Sequence, residues 1–523
     1  MSGKNVVLYN PAYKPKPEPS SFLQPNQISE LKGKSVAILD NSWWVWEKTL
    51  PTLRKALLTR YGVAKVSIYK VPRSSPATPD ELKKIAEEVD CAIVGLAFGA
   101  PEIECIVEDA VALMKEGLPI VCIVVGQDPD ITIWKKLMVS RNANIPFVTI
   151  PREPELLPVE EAIEMMEAII DDLANTLKNP LMLQVEDVFN EPFLEVRDSL
   201  DEIYDIFYAN GWTDGLPIIP PTQERVHKML KYVGGNPEEV VGELPMLKGL
   251  ATLGAIAANG VMAGCLPEHM PVLIAIVRAS RGLGFGAIGP TMVIINGPIR
   301  KKLEINCSTG CMGPGRRSNA AIGRALQLML RNIGGSSLFF MPDMTGHPAS
   351  YTFCFGENEE ESPWIPLHME RGFSRETSTV TVAGIYPASI IQSATYTYDW
   401  ETIIRVLADS TTYLGNSGML YGSGRESAGR MWVFLTPELA ERLASAGLSK
   451  RKVKEHIWEK ARFPVSQYPP NFVPYPHHLL VKNGEVQAMR SPEDVNVVVV
   501  ASRPGRYYAM TINGGAGTTV PIT

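Results

Sequence analysis

Residues 91–126 read CAIVGLAFGAPEIECIVEDAVALMKEGLPIVCIVVG. Two uncharged apolar runs, CAIVGLA (91–97) and PIVCIVVG (119–126), flank an amphipathic stretch that stops at Gly117. Apolar runs without polar alternation are how strands covered on both faces read, and a helix between two of them returns the chain to lie parallel. The same alternation extends in both directions. Upstream, SVAILDNS (35–42) and KVSIYKV (65–71) read as strands, followed by helices at 44–62 and at PDELKKIAEEV (79–89), the latter opened by a Pro-Asp start. Downstream come helix ITIWKKLMVSR, strand FVTI (147–150) and the long helix PVEEAIEMMEAIIDDLANTL. Residues 34–178 therefore read as a three-layer, flavodoxin-like parallel α/β domain.

The rest of the chain divides around that unit. Residues 1–33, rich in Pro, Lys and Ser, read as an extended N-terminal arm, lying on a partner subunit. Residues 179–225 read as a bridge with one amphipathic helix, VRDSLDEIYDIFYANG, and a rigid turn segment, WTDGLPIIPPT. Residues 226–523 read as a larger α/β (α+β) domain. Within it MVIINGPIRKKL (292–303) and MWVFLTPELAERL (431–443) share a strand–Pro turn–helix shape, with Pro298 answering Pro437. Each follows an apolar helix (270–280; 400–410) and precedes a basic one. This predicts two related halves, about 245–345 and 375–475, around a pseudo-two-fold axis with a ligand cleft between them.

Composition excludes several classes. At 523 residues the chain exceeds one ordinary core, and a formal net charge of −7 gives no reason to expect nucleic acid or an acidic membrane as partner. No uncharged apolar run reaches 18 residues, and the start carries no secretory pattern, so a cytoplasmic location is expected. Seven cysteines make no disulfide framework there and are expected as thiols.

Five stretches carry candidate chemistry. In CSTGCMGPGRRSNAAIGRAL (307–326) the Cys307/Cys311 pair reads as two small thiols or as part of a metal set. Arg316 and Arg317 stand at a helix start, where the dipole opposes them; an anion held by Arg316, the turn N–H groups and Asn319 would explain the placement, a solvated pair being the alternative. In FCFGENEEESPWIPLHMERGF (353–373) Glu357, Glu359, Glu360 and Glu361 crowd a loop whose apolar flanks pin it, with His368 and Glu370 following. Crowded carboxylates shift one another's pKa and suit acid–base work, or form a solvated acidic loop. Cys265, before the helix start at Pro267, is either a nucleophile with lowered pKa or a buried hydrophobe. Trp212 and Asp214 in GWTDGLP form a ligand wall or an Asx-turn beside a packed indole. YGSGRESAGR (421–430) lacks the ending of a phosphate loop.

Taken together, VAILDNS, the 91–117 unit, GWTDGLPIIPPT, NGVMAGCLPEH, GPGRRSNAAIGRAL, GHP (346–348), ENEEESPWIPLHMERGF and PEDVNVVVVASRPGR resemble the UGSC-type (seleno)protein family. The resemblance implies an N-terminal domain similar to the thiol/selenol domain of the substrate-binding selenoproteins of glycine and betaine reductases. There the loop after the third strand carries the redox cysteine or selenocysteine. Here that loop reads AFGAPEIEC: Phe98 to Pro101 hold no thiol, and Cys105 falls a turn into the helix. The expected chemistry moves to the larger domain: an enzyme acting on a small anionic, carboxylate metabolite by lyase-type acid–base steps, in a homo-oligomer. Glu357 or Glu359 is the expected base, His368 the acid and Cys265 a nucleophile. Arg316, Asn319, Asn358, Trp212, Asp214, Asn296 and His347 are the expected binding residues, with no metal assigned and the cofactor open. Two alternatives stand beside it: a non-catalytic substrate-binding or scaffold subunit of a reductase-like complex, and a metal- or thiol-dependent hydrolase or reductase using Cys265, Cys307 and Cys311.

Overall fold

A computed structural model describes residues 5–13, 22–41, 44–72, 76–97, 99–126, 130–151, 157–180, 191–245, 247–283, 290–336, 348–391, 399–410, 412, 430–467, 480–503 and 509–523. The protein is α/β. Five strands, β1 (Ser35–Asp40), β2 (Lys65–Lys70), β3 (Cys91–Ala97), β4 (Ile120–Val125) and β5 (Phe147–Ile150), form one parallel sheet in the order β2-β1-β3-β4-β5. That is the flavodoxin-like order. Helices α1 (Trp44–Thr59) and α5 (Val159–Lys178) pack on one face; α2 (Pro79–Glu88), α3 (Gly99–Lys115) and α4 (Asp130–Ser140) cover the other. Every residue of β3 and β4 is buried, the consequence of two covered faces that their unbroken apolar runs signalled.

The described residues of the N-terminal arm, 5–13 and 22–33, pack against the same chain. Asn5–Tyr9 pairs antiparallel with Phe193–Arg197, and Leu8 is fully buried beside Phe207. Ile28 and Leu31 enter the α1/α5 core. The apolar side chains of VVLY supply the cause: a strand partner 188 residues away gives them somewhere to go.

The second large sheet has seven strands. Its path is β7 (Cys354–Gly356), β6 (Thr291–Asn296), β8 (Thr379–Ile391), β11 (Ala509–Gly514), β9 (Arg430–Leu435) and β10 (Val495–Val499), with β12 (Thr518–Pro521) paired to β8. The pairing reads the same from either edge. β6 lies parallel to β7 and antiparallel to β8; β9 lies parallel to β10 and antiparallel to β11; β8 and β11 join antiparallel at the centre. The helices follow suit. α7 (Met270–Ala279), α8 (Ile299–Lys302) and α9 (Arg317–Asn332) accompany β6, while α11 (Trp400–Asp409), α12 (Pro437–Ser445) and α13 (Lys450–Lys460) accompany β9.

Side chains alternate across this sheet. Val293, Ile295, Val380 and Val382 face α7, α9 and the helix α6 (Leu253–Ala263); Met431, Val433, Val495 and Val497 face α11, α12 and α13. The opposite set, including Ile294, Phe355, Trp432, Phe434 and Val498, forms one internal core. The sheet curls around it until its outer strands meet: Asn358 donates its N–H to Val499 O at 2.8 Å and its side-chain amide to Ala501 O at 2.6 Å. Registers Ile295↔Gly356 and Asn296↔Thr379 place the end of β6, the end of β7 and the start of β8 together at one end of the curled sheet. Among the described residues no helix is long and apolar enough to cross a membrane.

Candidate functional site

At that end, the last residue of β6 begins a buried polar network. Asn296 is fully buried, and its amide donates to Glu357 Oε2 at 2.6 Å and Glu359 Oε1 at 3.1 Å. Gly297 adds its N–H to Glu359 Oε1 at 2.7 Å. The position needs glycine: φ is +81°, and a Cβ would stand 2.5 Å from Thr377 O. Glu357 follows β7 directly and also accepts the N–H of Leu367 at 2.8 Å. Leu367 begins the one-turn helix α10 (Leu367–Glu370), which turns fully buried His368 inward, its Nδ1 3.9 Å from Glu359 Oε1.

The cation that meets these carboxylates is Arg300, on α8. Its Nη1 donates to Glu357 O at 2.7 Å, both Nη atoms reach Glu360 at 3.1 Å, and Nη2 lies 3.0 Å from Glu359 Oε2. Burial works against the Glu360 carboxylate, but the Arg300 and Lys301 hydrogen bonds outweigh it and bring its pKa to about 2. Arg316, the expected clamp, is exposed at the cap of α9 and takes no part in this contact. Sequence reading missed Arg300. The signal was present: aligning Pro298 with Pro437 sets Arg300 opposite buried Leu439, a charge where the repeat places an apolar residue.

Two groups in the network are pushed in opposite directions. Burial raises the Glu357 pKa, opposed in part by Lys450 and by the bonds from Leu367 and Asn296. Burial lowers that of His368, against the pull of Glu359 and of the backbone at Ser374 and Arg375. Asn296 Oδ1, Arg300 Nε, Glu357 Oε1, Thr379 Oγ1 and both ring nitrogens of His368 are buried without a well-formed hydrogen bond among the described residues. Buried polar atoms are nearly always paired, so such a concentration singles this network out as the candidate site.

Beside this centre, sharing Leu367 with it, opens a cleft of about 800 Å³. Leu367, Glu370 and Arg371 line one wall; Lys450, Arg451 and Lys454 of α13 line another, with Arg430, Asn496 and Gly517 completing it. α10 is the partition: Glu370 faces the cleft and His368 the polar centre. Glu370 is bonded by Lys454 at 2.6 Å and lies 2.7 Å from Lys450. Arg371 is held by Gly517 O, Thr519 Oγ1, Asn496 Oδ1 and Ala516 O, over the Trp432 ring.

The other expected residues fall elsewhere. Asn319 spends its amide on the backbone of Asn306 and Cys311 and accepts from Asn306 N, tying that loop to α9. Asn358 is consumed in joining the sheet edges. Asp214 accepts two hydrogen bonds from Arg324, each 2.8 Å, and one from Leu216 N, while Trp212 packs edge-on to Phe207: the Asx-turn alternative. None of these four faces the polar centre with a spare polar group. Cys265 lies in the core of α6 and α7, where burial raises its thiol pKa well above the ordinary range, opposite to the lowering a nucleophile needs. Burial likewise holds Cys311 at about 11, whereas Cys307 sits 3.6 Å from Arg300 Nη1. Among the described residues no three His, Cys, Asp or Glu side chains converge as metal ligands. His347 and most of residues 421–430 lie outside the described residues.

Residues 10–178 match the UGSC family, which bears out the resemblance read from the sequence; the polar centre and the cleft lie beyond the matched residues. No curated protein matches the chain. Among solved structures, a diflavin flavoprotein A3 from Nostoc sp. is similar at 14% identity over 27% of this chain and 92% of that one, with a TM-score of 0.20.

Proposed function

We propose that this chain, UGSC-family over residues 10–178, is an enzyme that acts on a small anionic, carboxylate-bearing metabolite by proton transfer, a lyase-type reaction. The observation that carries the reading is the pairing of Glu357 and His368, two fully buried titratable side chains bordering Glu359, whose pKa values are displaced in opposite directions. Groups pushed apart in this way divide the acid and base roles between them. The directions reverse the roles expected from sequence. A lowered pKa leaves His368 neutral at pH 7 and able to take a proton, and a raised one lets Glu357 carry the proton to be returned. Glu359, held by Asn296, Gly297 and Arg300, stabilises the imidazolium that forms. Because His368 is fully buried, contact with a substrate requires displacement of the α10 turn, whose first N–H is bound by Glu357.

The test is deuterium exchange. Small carboxylates incubated with the protein in D2O should exchange the hydrogen next to the carboxylate, followed by NMR. Glu357→Gln and His368→Asn should each slow exchange by at least ~100-fold with the circular dichroism spectrum unchanged. Exchange at the wild-type rate in both variants would sink the assignment. Saturable carboxylate binding without exchange of any kind would favour the substrate-binding subunit instead.

A further inference from the structure

We propose that the cleft at the start of α13 binds an amphiphilic anion, its carboxylate or phosphate head among Lys450, Lys454 and Arg451 and its apolar body along Trp364, Ile365 and Leu367. The proposal deepens the reading above by naming the substrate class, and rests on it only for the fate of the bound molecule.

Charge is the first argument. The lining contains Arg371, Arg430, Lys450, Arg451 and Lys454 against two carboxylates, Glu370 and Glu493. Arg430 is compensated by Asp494, and exposed Arg451 by Glu455. The buried part carries more cations than carboxylates. Lys450 and Lys454 share the carboxylate of Glu370, Glu357 is the second acid near Lys450 and Arg371, and the Arg371 guanidinium is hydrogen-bonded to carbonyl, amide and hydroxyl oxygens. Burial lowers the pKa of both Lys454 and Arg371, although Glu370, and for Arg371 also Glu357, oppose the shift. Excess positive charge in a concave, partly dry site is stabilised by an anionic guest.

Local backbone adds a second argument. α13 runs for 11 residues, and its first turn holds Lys450, Arg451 and Lys452 with no acid. Those cations oppose the helix dipole, so the sequence places them there at a cost. Ser449 caps only the Lys452 N–H. An anion at this helix start would offset both the dipole and the crowded ammonium groups. The third argument is size. About 800 Å³ suits a ligand much larger than a lone phosphate, and Trp364, Ile365, Leu367 and Pro492 offer it apolar wall.

Isothermal titration of the full chain with octanoate, octyl phosphate, inorganic phosphate and 1-octanol tests this. One amphiphilic anion should saturate a single site, and whichever of the two binds tighter identifies the head group. Phosphate and octanol should each bind at least ~10-fold more weakly. Arg451→Glu, at an exposed position that folding tolerates, and Lys454→Gln should each raise Kd about tenfold. No saturable binding of either amphiphile, phosphate binding as tightly as octyl phosphate, or affinities untouched by both substitutions would overturn the proposal. The titrations involve no turnover. Binding without exchange keeps the cleft and removes the chemistry; exchange without binding does the reverse.

Discussion

Ionising a carboxyl group where water cannot reach costs free energy, and Asp109 on α3 carries that cost in isolation from the polar centre. Its side chain is buried and accepts the N–H of Ala77 at 2.9 Å. Burial pushes its pKa to about 7, although the Ala77 bond opposes the rise. In the unfolded chain the group titrates near the ordinary value of about 4. Between about pH 4 and 7 the folded state therefore holds a proton that the unfolded state has released, and stability falls as pH rises through that window. Above about 7 both states are ionised and the penalty is constant. Asp109→Asn keeps an oxygen for the Ala77 N–H and removes the charge. The variant should match the wild type in urea unfolding near pH 4 and exceed it by about 1–3 kcal/mol at pH 8. An equal gap at the two pH values would place the wild-type charge elsewhere.

At the scale of elements, the helix that reaches the polar centre's strand does so through Gly323. α9 presses against the chain entering β7, and a Cβ at Gly323 would stand 2.4 Å from Thr352 Oγ1 and 2.9 Å from Phe353 N. Alanine raises helix propensity by about 1 kcal/mol over glycine. The clash with backbone at Phe353 outweighs that gain, so Gly323→Ala should destabilise by about 1–3 kcal/mol in thermal or urea unfolding. A more stable variant would show that α9 has slack against β7. This packing also separates what was legible in the sequence from what was not. The parallel strands were readable because burial on both faces writes itself into consecutive residues. Asn296, Glu357, Glu359 and His368 were readable as candidates because each stands at a strand end or beside apolar anchors. That Arg300, rather than Arg316, meets them depends on how two elements separated in sequence come together at one end of a curled sheet, which no local pattern encodes. The cations of α13 were visible as a basic helix, but their clefted side was not. The strand Asn5–Tyr9 escaped for a related reason: five residues carry too little alternation to announce a distant partner.

For the molecule as a whole, the outer strands of the seven-stranded sheet meet at Asn358, a residue between two carboxylates. The two halves repeat the same pairing outward from β8 and β11, so β7 and β10 end as edges, and unpaired edges are a liability. Asn358 closes the gap through Val499 O and Ala501 O, and Arg503 reinforces it by donating its N–H to Glu361 at 3.2 Å. The neighbours of Asn358 are Glu357 and Glu359, so the closure and the polar centre share a backbone segment. Asn358→Ala removes the side-chain bond to Ala501 and leaves that carbonyl unsatisfied, at a cost of about 1–3 kcal/mol. Its distinguishing effect should be spatial. Amide hydrogen exchange should quicken together at 354–361 and 495–501, the two sides of the joint, while the central β8–β11 pairing stays protected. Deuterium exchange into substrate should fall further than the stability loss alone explains, because Glu357 loses the fixed position that its raised pKa depends on. Uniform loss of protection across the sheet would mean the edges close by core packing instead, with Asn358 a passenger between its two acids.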